Sequence, residues 1–349
     1  MKITSYSNRT EVTEIDLQDD DQCRDLGRLV ASKCVVVVKQ GVTEQRLFDI
    51  QNLWGQPCTA FIFRALMSRK MSGRHWRNIQ LHLGYTTKAT DHFANRLGIA
   101  RVSFEKNSKG KPTGFFTNGS LDWHCDQQSF DDKQRVVGLM SLWDTAGSRT
   151  SFLCTANAYA SLPMEDKTMV DELITVSEWD GGKMSKDLIS SQRDVLHYGT
   201  APLSDMDCPL LAETVTGVKG IKFPSHSFKK FRGMSREDSL KYRQHLWNLI
   251  NKPEHIYHHD WVDGEIVFMD QNITMHARPT DVKEGNTRTM CRMNSYMDVL
   301  FPGQGPVDYV LHDGKRVDKD AFLKLVDSAR KEEFYAANAL MSEAAIKSA

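Results

Sequence analysis

From about residue 112 to residue 300 the chain is a series of short apolar stretches cut by Gly, Pro, Asn and Asp. VVGLMSLWD, PLLAETVTGVKGIKF and DGEIVFMD are examples. That texture predicts a β-sandwich or jelly roll. An earlier run, CVVVVKQ, is β-branched and apolar and reads as a buried strand. Helices flank the strands. Thr43 to Gly55 carries apolar residues at 47, 50, 53 and 54, with Thr43 placed to cap the start and Gly55 to end it. Ser235 to Ile250 has a second helical pattern, and the tail from Asp318 to 349 is amphipathic and Ala-rich. The fold class expected is mainly β with flanking helices (α+β) around a jelly-roll core. With no visible linker, residues 1–349 are expected to form one elaborated domain.

Composition excludes several classes. Lys+Arg 45 and Asp+Glu 45 cancel, so the chain lacks the basic footprint of a general nucleic-acid binder. No apolar run approaches the roughly 18 residues of a membrane span, and the N-terminal MKITSYSNRTEVTEIDLQDDD shows no signal-peptide apolar region. Seven cysteines, odd in number, scattered and without CxxC, argue against a disulfide framework and favour a reducing cytosol. A cytoplasmic location is the expectation. Oligomeric state is left open, a homo-oligomer included.

One segment departs from the neutral average. Residues 60–111 hold eleven Lys and Arg against Asp91 and Glu105. It reads as a basic insertion, either a solvated surface or a lid greeting an anionic substrate. Trp76, Tyr85 and Phe93 could instead stack a base. A nucleic-acid partner ranks below a small molecule because no second aromatic-basic run exists.

The sharpest chemical feature is Trp123-His124-Cys125-Asp126. On an extended segment, residues two apart share a face. His124 and Asp126 can then bite one ion while Cys125 faces away. His258-His259-Asp260 repeats the His-x-Asp pattern, so a third ligand must discriminate. His276 stands 152 positions after His124 and follows a turn and an apolar strand, DGEIVFMDQNITMHARPT. His258 and Asp260 directly precede that turn, and too little chain separates them from His276 to build intervening strands; His258 and His259 read as strand-end or structural residues. Two His and one carboxylate on one side of an ion match non-haem Fe(II) oxygenases, which keep three positions open. A 2-oxoglutarate cosubstrate would need a fixed cation for its distal carboxylate. Arg288 and Arg292 follow His276 by twelve and sixteen positions and share a strand face; Thr150 could add a hydroxyl.

Together these residues resemble the taurine dioxygenase family of Fe(II)/2-oxoglutarate-dependent oxygenases. GSRTSFLCTANAYASLP and Pro209–Gly217 add to the likeness, which covers about 30–58 and 112–300. The resemblance implies a double-stranded β-helix, a jelly-roll variant. It implies His124, Asp126 and His276 as iron ligands, Thr150 and Arg288 as 2-oxoglutarate contacts, and Arg292 at the substrate's anionic end. Asn118 and Phe130 complete the expected substrate-binding set. Fe(II), 2-oxoglutarate and O2 are the implied cofactor and cosubstrates, and a small, anionic or amino-acid-like molecule the implied substrate. The Asp126 carboxylate argues against halogenation. Two other readings stay open: an oxygenase acting on a nucleoside or nucleic acid, and a catalytically idle jelly-roll binding protein.

Overall fold

The computed structural model describes residues 1–55, 99–104, 120–126, 135–177, 206–225, 228–279 and 288–304, with the short stretches 309–310 and 316–317. The chain divides into two compact units. The first comprises Met1–Cys58, Gly98–Ser177 and Met206–Gly305. The second comprises Thr59–Leu97, Glu178–Asp205 and Pro306–Ala349. Of the second, only the antiparallel pair Tyr309–Val310 and Arg316–Val317 is described. The expected C-terminal helical extension, 318–349, lies outside the described residues, as does most of the basic 60–111 segment.

In the first unit the elements run β1 (Lys2–Ser5), β2 (Thr10–Thr13), α1 (Asp20–Val30), β3 (Val35–Val38), α2 (Glu44–Trp54), β4 (Ile99–Ser103), β5 (Leu121–His124), β6 (Arg135–Trp143) and β7 (Arg149–Cys154). Then come α3 (Thr155–Ser161), α4 (Met164–Glu172), β8 (Ile174–Ser177), β9 (Met206–Pro209), β10 (Leu211–Glu213), β11 (Lys219–Ile221) and β12 (Phe228–Phe231). The series ends with α5 (Arg236–Ile250), β13 (Ile256–Asp260), β14 (Ile266–Asp270), β15 (Thr274–Arg278) and β16 (Thr289–Tyr296). Seven strands form the larger sheet in the order β1-β2-β3-β14-β6-β16-β4, and four form a smaller one, β13-β7-β15-β5. Every pair in both is antiparallel except β2–β3. The jelly-roll expectation holds.

The β-branched run becomes β3, buried at all four positions and hydrogen-bonded to β14. Its alternate residues serve two cores. Val35 and Val37 join Val137, Leu139, Phe152, Trp261, Val267, Met269 and Met290, a cluster drawn from both sheets. On the far side α1 and α2 cover the larger sheet. Trp54 meets Phe268 edge-on at 4.8 Å, and its Nε1 donates to the Cys23 carbonyl at 2.8 Å. Gly27 permits that approach, since a Cβ there would stand 2.5 Å from the Trp54 ring. The predicted Thr43 cap forms, its Oγ1 accepting from Arg46 N at 3.1 Å, and at the second helix Ser235 Oγ accepts from Asp238 N, also at 3.1 Å. The outer side of the smaller sheet packs Leu153 and Met275 against Leu162, Phe231, Leu246 and Ile250.

Two expectations are corrected. The basic segment was read as an insertion through residue 111, yet Ile99–Ser103 returns to the core as the edge strand paired with β16. Strand propensity in IARVS was hidden by the charged residues around it. The scattered cysteines argue against a disulfide framework, yet Cys34 and Cys154 form a disulfide across 120 positions of chain, with Cα atoms 5.6 Å apart. Sequence spacing conceals this pair because the closing of two sheets brings it together. The cysteine argument for a reducing compartment therefore falls away. No helix among the described residues is long and apolar enough to cross a membrane.

Candidate active site

Strands β5 and β15 are neighbours, and His124 and His276 are direct cross-strand partners. Their rings lie 4.1 Å apart, tilted at 47°. Asp126 follows one step past the end of β5. The donor atoms of His124, Asp126 and His276 all lie within 4.8 Å of one another, and no other such cluster of His, Cys, Asp and Glu exists among the described residues. Two imidazoles and one carboxylate from one side suit a divalent transition metal with open positions opposite.

Neighbouring groups orient these donors. His124 Nδ1 is 2.6 Å from the Asp122 carbonyl oxygen. That contact places the ring proton on Nδ1 and leaves Nε2, 4.0 Å from Asp126 Oδ1, to face an ion. The Asp126 backbone N–H donates to Gln271 Oε1 at 2.7 Å, and Arg292 Nη2 pairs with Asp126 Oδ2. Burial alone would raise the Asp126 carboxyl, but the charges of Arg292, His276 and His124 outweigh it. The group is held well below the usual carboxylate range, ionised and ready to bind a cation.

Cys125 turns the other way, as strand alternation requires. It is buried among the residues of the helix-facing core, and its thiol donates to the Thr274 carbonyl at 3.3 Å. Burial pushes that thiol up to about 12, so it is no thiolate ligand. The second His-x-Asp is likewise occupied within β13. His258 Nδ1 meets Ser151 Oγ at 2.7 Å, His259 Nδ1 meets the Tyr257 hydroxyl at 2.7 Å, and Asp260 pairs with Arg149.

One pleat along from the metal row lies a second set of polar groups. Thr150 on β7 is buried, and its Oγ1 accepts from Trp261 Nε1 at 2.9 Å. Its own hydroxyl proton is thereby directed elsewhere. Arg288 is 4% exposed, with Nε 3.1 Å and Nη2 2.6 Å from Met290 Sδ. Burial, and then the charge of Arg278, presses the Arg288 guanidinium down to about 9. It stays charged at neutral pH. Arg278, also 4% exposed, went unremarked in the sequence. The signal that could have found it is the rule already applied to His124 and Asp126: two positions past His276, Arg278 shares its face. The expected substrate contacts Asn118 and Phe130 lie outside the described residues.

Residues 7–294 match the model of the "Taurine catabolism dioxygenase TauD, TfdA family", and the chain belongs to that family. The family is one of 2-oxoglutarate-dependent dioxygenases. Among curated relatives, a (S)-phenoxypropionate/alpha-ketoglutarate-dioxygenase of Sphingobium herbicidovorans is 25% identical over 212 residues, 55% of this chain and 72% of the relative. An alkylsulfatase of Acinetobacter baylyi is 25% identical over 164 residues, 46% of this chain; the chain spans only 51% of that relative's length. Of solved structures, a taurine dioxygenase from Burkholderia xenovorans superposes with a TM-score of 0.58 at 16% identity, covering 93% of this chain and 98% of that one. AAD-2 in complex with Mn(II) and N-oxalylglycine gives 0.54 at 16% identity, covering 84% and 96%. These two likenesses establish the fold.

Proposed function

We propose that this chain is an Fe(II)- and 2-oxoglutarate-dependent oxygenase acting on a small, anionic or amino-acid-like molecule. The observation that carries the reading is the arrangement of two adjacent rows on the smaller sheet. One row sets His276 between His124 and Phe152. The next, two residues along each strand and so roughly 7 Å away, contains Thr150. That spacing suits a short 2-oxo diacid that chelates an ion at one end and meets Thr150 and Arg288 at the other.

Fe(II) with 2-oxoglutarate and O2 would supply an oxidant for an unactivated C–H bond, releasing succinate and CO2. The protein's own part is positioning. His124 is locked by the Asp122 carbonyl, and Asp126 by Arg292 and Gln271. Such partners fix which donor atom meets the metal. Thr150 donates its hydroxyl, and Arg288 its planar fork, to the distal carboxylate. Phe152, Leu139, Met290 and Val102 make the surrounding wall apolar, which keeps bulk water from the reacting end. Arg292 commits one amino group to Asp126; the rest of its five-donor fork is the expected contact for an anionic substrate.

The test is turnover of 2-oxoglutarate by the Fe(II)-loaded protein in air, without prime substrate. Slow succinate formation is expected, because an oxygenase of this kind leaks oxidant. Adding a panel of sulfonates, alkyl sulfates and aryloxy acids should accelerate it for one chemical class. A protein that binds Fe(II) yet yields no succinate under any of these conditions is a binding module and the proposal is wrong.

A further inference from the structure

The turn between β14 and β15, residues 270–274, supports the proposed metal site from behind its ligands. Gln271 is buried and its Oε1 holds the Asp126 backbone N–H, while His276 follows Thr274 by two positions. Two other chain segments grip that turn. The Cys34 carbonyl accepts from Asp270 N at 3.1 Å and from Thr274 Oγ1 at 3.0 Å. Thr155 N, directly after Cys154, donates to the Ile273 carbonyl at 2.9 Å, and Cys154 itself is the cross-strand partner of Thr274. The Cys34–Cys154 bond therefore ties the two grips to each other.

The bond also stands where a reductant can reach it. Both cysteines line a surface cleft with Tyr6, Arg9, Lys33 and Asn157; Tyr6 is exposed and Cys34 partly so. The four free cysteines of the described residues are all buried. Thiol–disulfide exchange requires a thiolate to meet one sulfur of the bond, so access decides which pair reacts. Breaking the tie would not release the turn outright, because Gln271 N still donates to the Arg135 carbonyl at 2.9 Å. It would let the two gripping segments move independently, and with them the Gln271 amide that fixes the Asp126 backbone.

We propose that Cys34–Cys154 is a reversible thiol–disulfide modification site whose state, acting through the 270–274 turn and Gln271, sets how firmly His124, Asp126 and His276 hold their metal. This rests on the metal site read above. The co-reactant is a dithiol. One of its thiolates attacks a sulfur of the pair, the S–S bond breaks and a mixed disulfide forms; its second thiol then closes on the first. Two electrons and two protons pass to the pair, leaving two cysteine thiols and the dithiol oxidised to its own disulfide.

The test uses the full chain, treated with dithiothreitol under native conditions, freed of reagent anaerobically and titrated with Mn(II) by calorimetry. Maleimide labelling without denaturant, read by mass spectrometry, should find new thiols at positions 34 and 154. Reduction should weaken Mn(II) binding by about tenfold, the scale of losing a group that orients a ligand, and reoxidation should restore it. The double variant Cys34→Ser/Cys154→Ser should bind as the reduced protein does and ignore dithiothreitol. Gln271→Ala should bind Mn(II) weakly in both states, with less than about threefold between them. Should the serine variant not fold, reversible reduction of the wild type carries the comparison, with circular dichroism reporting the fold. The inference is overturned if reduced and oxidised wild type bind Mn(II) alike, if no thiol appears without denaturant, or if reduction unfolds the chain. It is also overturned if Gln271→Ala loses as much on reduction as the wild type does. An oxidised wild type that binds no Mn(II) contradicts the metal site itself, and this inference with it.

Discussion

The two sheets that face each other share a core and divide the labour. The larger one contributes Val35, Val37, Val137, Leu139, Val267 and Met269 to that core, and its far side is sealed by α1 and α2. Its central strands β3 and β14 are buried at every position. Among the described residues, it offers the candidate site Arg292 on β16 and Arg288 just before that strand. The smaller sheet holds His124, His276, Thr150 and Arg278 on short strands of four to six residues. One sheet is an apolar wall and the other carries the proposed ligands. The difference teaches where tolerance should lie: the wall should fail by unfolding, and the ligand sheet by losing metal or cosubstrate with the fold intact.

The most damaging single change to the wall should be Phe268→Ala. That ring is fully buried against Trp54. Its removal should cost about 3–5 kcal/mol in chemical denaturation. The surviving folded protein should bind 2-oxoglutarate as before. A folded Phe268→Ala protein with lost cosubstrate affinity would erase the distinction between wall and site.

Next come Arg288, just before β16, and Arg292 within it. Arg288→Ala strips a buried fork from a carboxylate, at about 2–5 kcal/mol, and should raise the 2-oxoglutarate dissociation constant by roughly one and a half to three and a half powers of ten. Arg292→Ala sits four strand residues on, roughly 13 Å further along. It should leave cosubstrate affinity nearly unchanged, and instead loosen metal binding by roughly tenfold or more, because it touches Asp126. Reversed outcomes in anaerobic titration would mean that their roles are exchanged.

His259 offers a smaller test at the border of the ligand sheet. Burial, with Lys39 adding to it, pushes this imidazole down to about 4. The unfolded chain, with an ordinary imidazole, binds the proton first as pH falls below about 6.5. Stability from this group is therefore complete above that point and is lost progressively toward pH 4, on the order of 3 kcal/mol in all. A melting-temperature profile of His259→Asn should be flatter over that window than the wild-type profile. Parallel profiles would show that His259 does not govern the slope.

The smallest effect belongs to Cys125. Pointing into the helix-facing core, Cys125→Ser should cost about 1 kcal/mol and retain full metal affinity. Loss of metal in a folded variant would contradict the strand alternation on which the whole site assignment rests.

Much of this was legible in the residues, and for physical reasons. A run of four valines admits little besides a buried strand, and Thr43 announces a helix start because its hydroxyl satisfies an orphan backbone donor. Alternation set Asp126 apart from Cys125, and the long gap to His276 grouped it with His124 rather than His258; the donor atoms of His124, Asp126 and His276 do lie within 4.8 Å of one another. What stayed hidden depends on closure in three dimensions. An arginine two residues past a histidine reads as a solvated strand face until the second sheet brings Arg288 and Phe104 onto it. The Cys34–Cys154 bond joins the lead-in to β3 with the end of β7, which no spacing rule connects. The edge strand Ile99–Ser103 was masked by the basic residues on either side of it.

The central claim is that His124, Asp126 and His276 hold one Fe(II) on which 2-oxoglutarate chelates. Anaerobic addition of Fe(II) and 2-oxoglutarate to the wild-type protein, followed by visible absorption, tests it most directly. A weak metal-to-ligand charge-transfer band is expected in the wild type, absent from His276→Ala and from His124→Ala, and present in Cys125→Ser. A band that persists unchanged in both histidine variants would place the metal elsewhere and contradict the account.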